Sequence, residues 1–252
     1  MQRAHPTRRR FTTAAAAAVA TGLSGIPVRA ETEVDLQLVL AVDASGSVSQ
    51  YRFELQKRGY IEAFRNPRVL NAVRSGVTQS IAVTMFQWTG PRLQREVLPW
   101  TVFKDEDSAK AIADRIESVP RLLFGGGTSI SGAIDVGMQL FPRGDFRGAR
   151  RVIDISGDGA NTSGRPVTRA RDDAVAAGVT INGLPILAVE PDLDEHYQEF
   201  VIGGEGAFMI ATKNFEDFAD AILKKLIAEI ASNDYRGTGD RAPARHRQGI
   251  PG

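Results

Sequence analysis

The stretch "LVLAVDASGSVSQ", residues Leu38–Gln50, joins an apolar run to a loop of small, oxygen-bearing side chains. The run at residues 36–43 is rich in Val and Leu, which predicts a strand that is buried on both faces. It ends at Asp43, and Ser45 and Ser47 follow at alternate positions around Gly46. Such a loop is typical of a helix cap, a nucleophile, a phosphate cradle or a metal site, and the rest of the chain decides among these.

Four further apolar runs predict strands at residues 80–88, 93–100, 149–156 and 179–189. Pro99 favours an edge position for the strand at 93–100. Gly183 and Pro185 predict a bulge or an early end in the last run. Because segments with helical spacing separate these strands, the sequence predicts a doubly wound α/β fold. We expect a mostly parallel sheet with helices on both faces and one antiparallel edge strand.

The predicted helices follow the spacing of apolar residues along the chain. One follows the turn at 47–49, a second ends before Pro120 and a third ends before Pro142. A fourth, over residues 165–177, ends at Gly178, which suits the position after a helix. The last begins with Asn214 as its N-cap.

The two ends of the chain differ in composition from the part between them. Residues 1–30 carry five arginines and no acid, which leaves 26 basic and 30 acidic residues in the remainder, a formal charge of −4. "TRRRF" (residues 7–11) resembles a twin-arginine export signal, and "VRA" (residues 28–30) offers a cleavage site. We therefore predict a signal peptide at 1–30, a folded domain at 31–232 and a disordered tail at 233–252. The mature protein is expected in the periplasm or secreted after cleavage near Ala30, without stable membrane insertion and without affinity for nucleic acid.

Several catalytic and cofactor motifs are missing from the sequence. The first loop has neither the glycines of a dinucleotide fingerprint nor those of a P-loop. No G-x-S-x-G nucleophile elbow occurs, and His196 is the only histidine of the predicted domain. With no cysteine in the chain, disulfides and thiolate metal sites are excluded.

A phosphohydrolase of the haloacid-dehalogenase type is the main enzymatic alternative. "VLAVDASGS" and "SGDGANTSG" (residues 156–164) resemble two motifs of that family. Ser45, however, stands where the general acid is needed, and Thr162 replaces the last acid of the second motif. No lysine lies between Lys110 and Lys213 to neutralise a phosphoryl group. We therefore predict that the protein is not an enzyme and keep this alternative for comparison.

A divalent metal site accounts for more of the pattern. Asp43, Ser45 and Ser47 lie on one loop, Thr128 follows three glycines on a second, and Asp158 precedes Gly159 on a third. In an open parallel sheet such loops meet beyond the carboxyl ends of the strands. Short, hard oxygen ligands suit Mg²⁺, which takes about six oxygens.

These three motifs resemble the metal-ion-dependent adhesion site (MIDAS) of von Willebrand factor type A (VWA) domains, in the family's chain order. The resemblance covers residues 34–232, and "VIDISGDGAN" and "VIGGEGAF" (residues 201–208) resemble an exported proteobacterial subfamily of unknown function. It implies a sheet of about six strands and a bound Mg²⁺ or Mn²⁺. It also implies Asp43, Ser45, Ser47, Thr128 and Asp158 as ligands, and a protein partner that presents an Asp or Glu to the ion.

Two departures and one alternative accompany this resemblance. The third loop reads Ser156-Gly157-Asp158 instead of the commoner hydrophobic-Thr-Asp, and Asp154 lies in an apolar strand without an assigned role. In the alternative interpretation, each of Ser47, Ser49, Thr128 and Ser129 only caps a helix and binds no metal. A structural VWA domain with an empty site is therefore the remaining alternative.

Overall fold

The computed structural model describes residues 31–231, which lie in one compact unit. The predicted signal peptide and the predicted tail lie outside these residues. Five strands form one sheet: β1 (Thr32–Asp43), β2 (Ile81–Trp88), β3 (Gln94–Phe103), β4 (Phe146–Gly157) and β5 (Thr180–Pro185). Their order is β3-β2-β1-β4-β5, and all neighbours are parallel except β2 and β3. The doubly wound fold with one antiparallel edge strand is thus confirmed.

Seven α-helices lie between the strands or after the last of them in the described part of the chain. They are α1 (Gln50–Arg65), α2 (Pro67–Arg74), α3 (Glu106–Ser118), α4 (Ile130–Leu140), α5 (Val167–Ala176), α6 (Leu193–His196) and α7 (Phe218–Ala231). A short 3₁₀ turn at Phe141–Arg143 follows α4, and a π-helical turn at Tyr197–Val201 follows α6.

The core lies on both faces of the sheet because the side chains of β1 alternate between them. Leu38 and Leu40 pack with α1, α3 and α7, whereas Val39 and Ala41 pack with α4 and α5. β1 is buried along its length from Val34 onward. The central strand therefore holds its last residue, Asp43, rigidly at the carboxyl edge of the sheet.

The sixth strand implied by the resemblance does not form a ladder. The segment at 208–212 runs beside β5 and makes two isolated parallel bridges, from Gly183 to Met209 and from Ile186 to Thr212. β5 ends at Pro185, as the sequence predicted, since proline cannot donate to a further ladder bond. This segment occupies the place of a sixth strand without regular pairing.

Two helical boundaries differ from the sequence prediction. α7 begins at Phe218, and Asn214 instead caps a turn, its side-chain oxygen accepting the N–H of Asp217 at 2.9 Å. α2 was not predicted, although Asn66 caps it and Pro67 occupies its first turn. In residues 31–231, no helix is long and apolar enough to cross a membrane.

Candidate metal centre

The first loop (residues 44–49) turns sharply around the carboxylate of Asp43. Asp43 is fully buried, and its Oδ1 accepts the N–H of Ser45 at 2.7 Å. Gln56 on α1 donates to the Asp43 carbonyl at 3.2 Å. The loop is thereby fixed from the strand on one side and from the helix on the other.

The third loop (residues 158–166) brings Asp158 to the first loop. Ser47 Oγ donates to Asp158 Oδ1 at 2.5 Å, and Ser45 Oγ lies 3.2 Å from Ser47 Oγ. The N–H of Asp158 lies 3.4 Å from Asp43 Oδ2. Two buried carboxylates and two hydroxyls thus form one continuous hydrogen-bonded group.

The second loop (residues 119–129) lies against the third. The Thr128 carbonyl accepts the N–H groups of Thr162 and Ser163 at 2.9 and 3.1 Å. A Cβ added to Gly159, next to Asp158, would lie 3.7 Å from Thr128 Oγ1, so this hydroxyl also faces the third loop. All five residues predicted from the sequence therefore lie at one place on the carboxyl edge.

Glycine is required where the second loop turns. Gly125, Gly126 and Gly127 have φ values of +120°, +109° and +80°, which residues with a Cβ rarely adopt. A Cβ on Gly126 would also lie 2.6 Å from Leu93. These three residues let the backbone approach the β2–β3 hairpin and deliver Thr128 to the site.

Of the four residues that could cap a helix, Ser49 and Ser129 do so. Ser49 caps α1, with its hydroxyl accepting the N–H of Arg52 at 3.3 Å, and Ser129 caps α4 by accepting the N–H of Gly132 at 3.1 Å. The side chains of Ser47 and Thr128 are not needed for capping. Both remain available to face the site.

Burial dominates the electrostatics of the two acids. Burial, followed by the nearby charge of Asp158, raises the pKa of Asp43 from 3.8 to about 7. Burial also raises the pKa of Asp158, while Ser47 and Arg52 act in the opposite direction. Nη1 of Arg52 lies 3.7 Å from Asp158 Oδ2.

The donor set fits a hard divalent cation. Asp158 Oδ2 is buried and has no hydrogen-bond partner among the described residues. Two carboxylates and three hydroxyls offer oxygen ligands and match the charge of one Mg²⁺, so bound metal would also relieve the repulsion between the acids. No group of three or more His, Cys, Asp or Glu residues that could hold a metal occurs within 31–231, so hydroxyls are needed to complete the set.

Close packing explains the glycine that departs from the family pattern at position 157. A Cβ there would lie 3.0 Å from Asp43 Oδ2, 3.1 Å from the Tyr197 hydroxyl and 3.2 Å from the Trp88 ring. The space below Asp43 is thus filled by two buried aromatic residues from β2 and the π-helical turn. Burial, together with the charges of Asp43 and Asp158, raises the pKa of Tyr197 well above 10 and keeps its hydroxyl protonated.

Asp154 has a partner that the sequence did not reveal. Its Oδ1 lies 2.7 Å from Nζ of Lys225 on α7, and Lys225 also contacts Glu229 Oε1 at 3.0 Å. All three side chains are fully buried. Asp154 therefore belongs to a buried ion cluster between the sheet and α7.

Sequence reasoning also missed two arginines that border the centre. Arg52, in the first turn of α1, donates to the Ser47 carbonyl at 3.0 Å. Arg121, in the second loop, is almost fully buried and donates to the carbonyls of Ala44 and Ser45 at 2.9 and 3.0 Å. Arg52 lies five residues after Ser47 and gives no periodic signal, whereas Arg121 is far from the first loop in sequence and reaches it only through the fold.

Comparison with solved structures gives the fold family. Proximal thread matrix protein 1 (PTMP1) from the mussel byssus matches with a TM-score of 0.56 and 19% identity over 80% of this chain and 49% of that chain. A von Willebrand factor type A protein from Catenulispora acidiphila matches with a TM-score of 0.56 and 17% identity, over 79% of this chain and 43% of that one. This chain thus spans about half the length of these two proteins.

Two further matches add detail to this comparison. The vWF domain of the type V pili tip protein Mfa5 from Porphyromonas gingivalis matches at 11% identity with a TM-score of 0.56, over 82% of this chain and 98% of that chain. Another structure of mussel PTMP1, described as having a zinc-occupied MIDAS motif, matches at 14% identity with a TM-score of 0.55, over 80% of this chain and 47% of that chain. At these identities the likeness shows the VWA fold alone.

Sequence comparison gives the family itself. No curated protein matches the sequence. A family model described as "Protein of unknown function (DUF1194)" matches residues 33–234, which include all three loops of the candidate centre. The chain therefore belongs to the DUF1194 family, and it has the fold of a VWA domain.

Proposed function

We propose that this protein binds another protein through a divalent metal ion, Mg²⁺ or Mn²⁺, at the carboxyl edge of its sheet. One observation carries the proposal: residues from three separate loops converge there around buried carboxylates, with Ser47 Oγ 2.5 Å from Asp158 Oδ1. Ordinary folding does not require buried acids at the ends of two neighbouring strands, because isolated buried carboxylates are destabilising.

Each of the five side chains has a role in this proposal. Asp43 and Asp158 supply the charge that holds the ion, and Ser45, Ser47 and Thr128 supply neutral oxygens. Because two carboxylates only balance a divalent ion, the ion keeps its attraction for a third carboxylate. That carboxylate would come from an Asp or Glu of the partner protein.

We do not propose catalysis at this centre. Ser45 lies where a haloacid-dehalogenase-type phosphohydrolase needs a general acid. Thr162, where its last metal-binding acid would stand, is hydrogen-bonded to the backbone of Thr128, its N–H donating to the Thr128 carbonyl at 2.9 Å. The residues near the site thus support ligand binding rather than phosphoryl transfer.

We also propose that the folded domain acts outside the cytoplasm. The support is the arginine-rich segment at residues 1–30, with its "TRRRF" and "VRA" elements. N-terminal sequencing of the protein recovered from the periplasm or the culture medium tests this, and a mature N-terminus near Glu31 is the expected result. Retention of residues 1–30 would contradict export by cleavage.

Calorimetric titration of the purified protein with Mg²⁺ and with Mn²⁺ tests the proposed centre. We expect saturable binding by the wild type and no binding by Asp43→Ala or Asp158→Ala. Asp107→Ala is the matched control, since Asp107 is an exposed acid in the first turn of α3. Absence of metal binding by the wild type, or equal binding by all variants, would contradict the proposal.

A further inference from the structure

Large exposed apolar side chains are concentrated at one end of the domain. Seven are exposed in the described residues, and five of them lie in segments at the carboxyl edge of the sheet: Tyr51, Leu93, Leu122, Phe124 and Val189. Phe124 is 74% exposed and Tyr51 63%. Grouped exposed apolar residues mark interaction sites more often than scattered single ones.

Phe124 is held close to the first loop of the metal centre. Its ring centroid lies 5.0 Å from the guanidinium carbon of Arg121, which donates hydrogen bonds to the carbonyls of Ala44 and Ser45. The guanidinium also lies over Phe53 of α1, 6.0 Å from that ring centroid. Next to Phe124, the Gly125 Cα would lie 4.0 Å from a Cβ added to Gly46.

The ring of Phe124 is therefore positioned without being buried. Arg121 is held by its hydrogen bonds to the first loop and by its contact with Phe53. Because the Phe124 ring packs against this fixed guanidinium, it loses little conformational entropy when a partner covers it. Aromatic and arginine side chains in such positions dominate the energetics of protein interfaces. Leu122, in the same loop as Phe124, and Tyr51, at the start of α1, are exposed as well.

The charges around the centre differ between its two sides. Arg52, on the α1 side, is partly exposed and lies 3.7 Å from Asp158 Oδ2. On the β5 side, Glu190 accepts the N–H of Ala160 at 3.1 Å, and Asp192 and Glu195 are exposed. Arg52 thus favours a partner carboxylate on the α1 side, where Tyr51 and Phe124 are exposed, whereas Val189 is exposed on the acidic β5 side.

We propose that the centre recognises a protein segment in which an Asp or Glu lies next to an aromatic or large aliphatic residue. The acid binds the ion, and the apolar neighbour packs on Phe124 beside Arg121. This inference rests on the proposed function and adds the identity of the residue next to the acid.

Selection from a random hexapeptide display library on the full-length chain in saturating Mg²⁺ tests this inference. We expect recovered peptides to contain an acid with an adjacent aromatic or large aliphatic residue. Phe124→Ser should select acidic peptides without that neighbour, and it should bind the most enriched wild-type peptide about tenfold more weakly. Because Phe124 is largely exposed, its replacement leaves no core cavity.

Two controls separate this inference from the proposed function. Val77→Ser alters another exposed apolar residue, which lies before β2 at the opposite end of the sheet, and should leave the selection unchanged. Asp43→Ala should recover no metal-dependent peptide. Enrichment of acids without an apolar neighbour, or an unchanged selection by Phe124→Ser, would overturn the inference and leave the proposed function intact. Absence of any Mg²⁺-dependent acidic peptide on the wild type would overturn both.

Discussion

Replacement of Lys225 by methionine probes the buried ion cluster between α7 and the sheet. Its ammonium lies 2.7 Å from Asp154 Oδ1, 3.0 Å from Glu229 Oε1 and 4.9 Å from the centroid of Phe208. Lys225→Met keeps most of the side-chain volume but leaves the buried carboxyl groups of Asp154 and Glu229 without their cation. Breaking a buried ion pair in this way costs about 3–5 kcal/mol.

A loss of this size is large for a domain of this length. Native proteins are stable by about 5–15 kcal/mol in total, and about 1 kcal/mol corresponds to about 2–4 °C in Tm for 150–250 residues. Urea unfolding followed by tryptophan fluorescence measures the change directly. We expect the midpoint to fall strongly while the slope stays constant.

Two further variants make this expectation specific. Lys110→Met removes the cation of an exposed pair with Asp114 and should cost less than about 1 kcal/mol. The triple variant Lys225→Met/Asp154→Asn/Glu229→Gln removes all three charges and should recover at least half of the loss, because no unpaired charge remains. If Lys225→Met were no more destabilising than Lys110→Met, the reasoning about the cluster would be refuted.

Three other changes test local features of the fold. Burial and the neighbouring Asp154 raise the pKa of Glu229 from 4.5 to about 7, so the folded protein holds a proton that the unfolded chain releases over this range. The free energy of unfolding should therefore fall by about 3 kcal/mol as the pH rises from 4.5 to 7. In Glu229→Gln that part of the fall should disappear in urea titrations, and an equal slope would contradict the assignment. Gly59→Ala places a Cβ 2.8 Å from Phe218 and should lower stability by about 1–2 kcal/mol, whereas Gly46→Ala meets only Gly125 at 4.0 Å and should be nearly neutral in thermal melts. Asp105→Ala removes the capping box of α3, in which Asp105 Oδ1 accepts the N–H of Ser108 at 2.9 Å, and should lower the melting temperature by a few °C. An equal loss in Asp105→Asn, which keeps a capping oxygen, would argue against the cap.

The strands and the residues at their ends could be predicted from the sequence for physical reasons. The apolar runs mark the buried parts of strands that are covered on both faces, and the run of β1 ends where the polar loop begins, at Asp43, although β1 itself starts earlier than the run, at Thr32. The parallel order then requires the loops after β1 and β4 to meet at one edge, and Ser47 and Asp158 do so. Their contact follows from topology rather than from local preference.

The buried ion cluster could not be predicted because its partners are far apart in sequence. Asp154 lies in β4, and Lys225 and Glu229 lie on α7, where charged residues normally face solvent. Only the packing of α7 on the sheet turns these side chains inward. Asn182 on β5 also donates to Glu229 at 2.8 Å, which binds a second strand to the cluster.

The surroundings of the metal centre were hidden for a different reason. Gly157 departs from the family pattern, and its cause is the pair Trp88 and Tyr197, which come from other parts of the chain. Arg121 belongs to the second loop and contacts the first loop only because the fold packs these two loops together. Contacts of this kind depend on the tertiary structure and leave no periodic signal in the sequence.

Electron paramagnetic resonance of Mn²⁺ added to the full-length chain tests the central claim most directly, because the free ion is observed separately from the bound ion. The account expects one tight site per chain in the wild type, displaced by excess Mg²⁺. It expects loss of this site in Asp158→Ala, with the fold retained in circular dichroism. An equally occupied Mn²⁺ site in Asp158→Ala, or no bound Mn²⁺ in the folded wild type, would contradict the claim that these three loops form a metal centre.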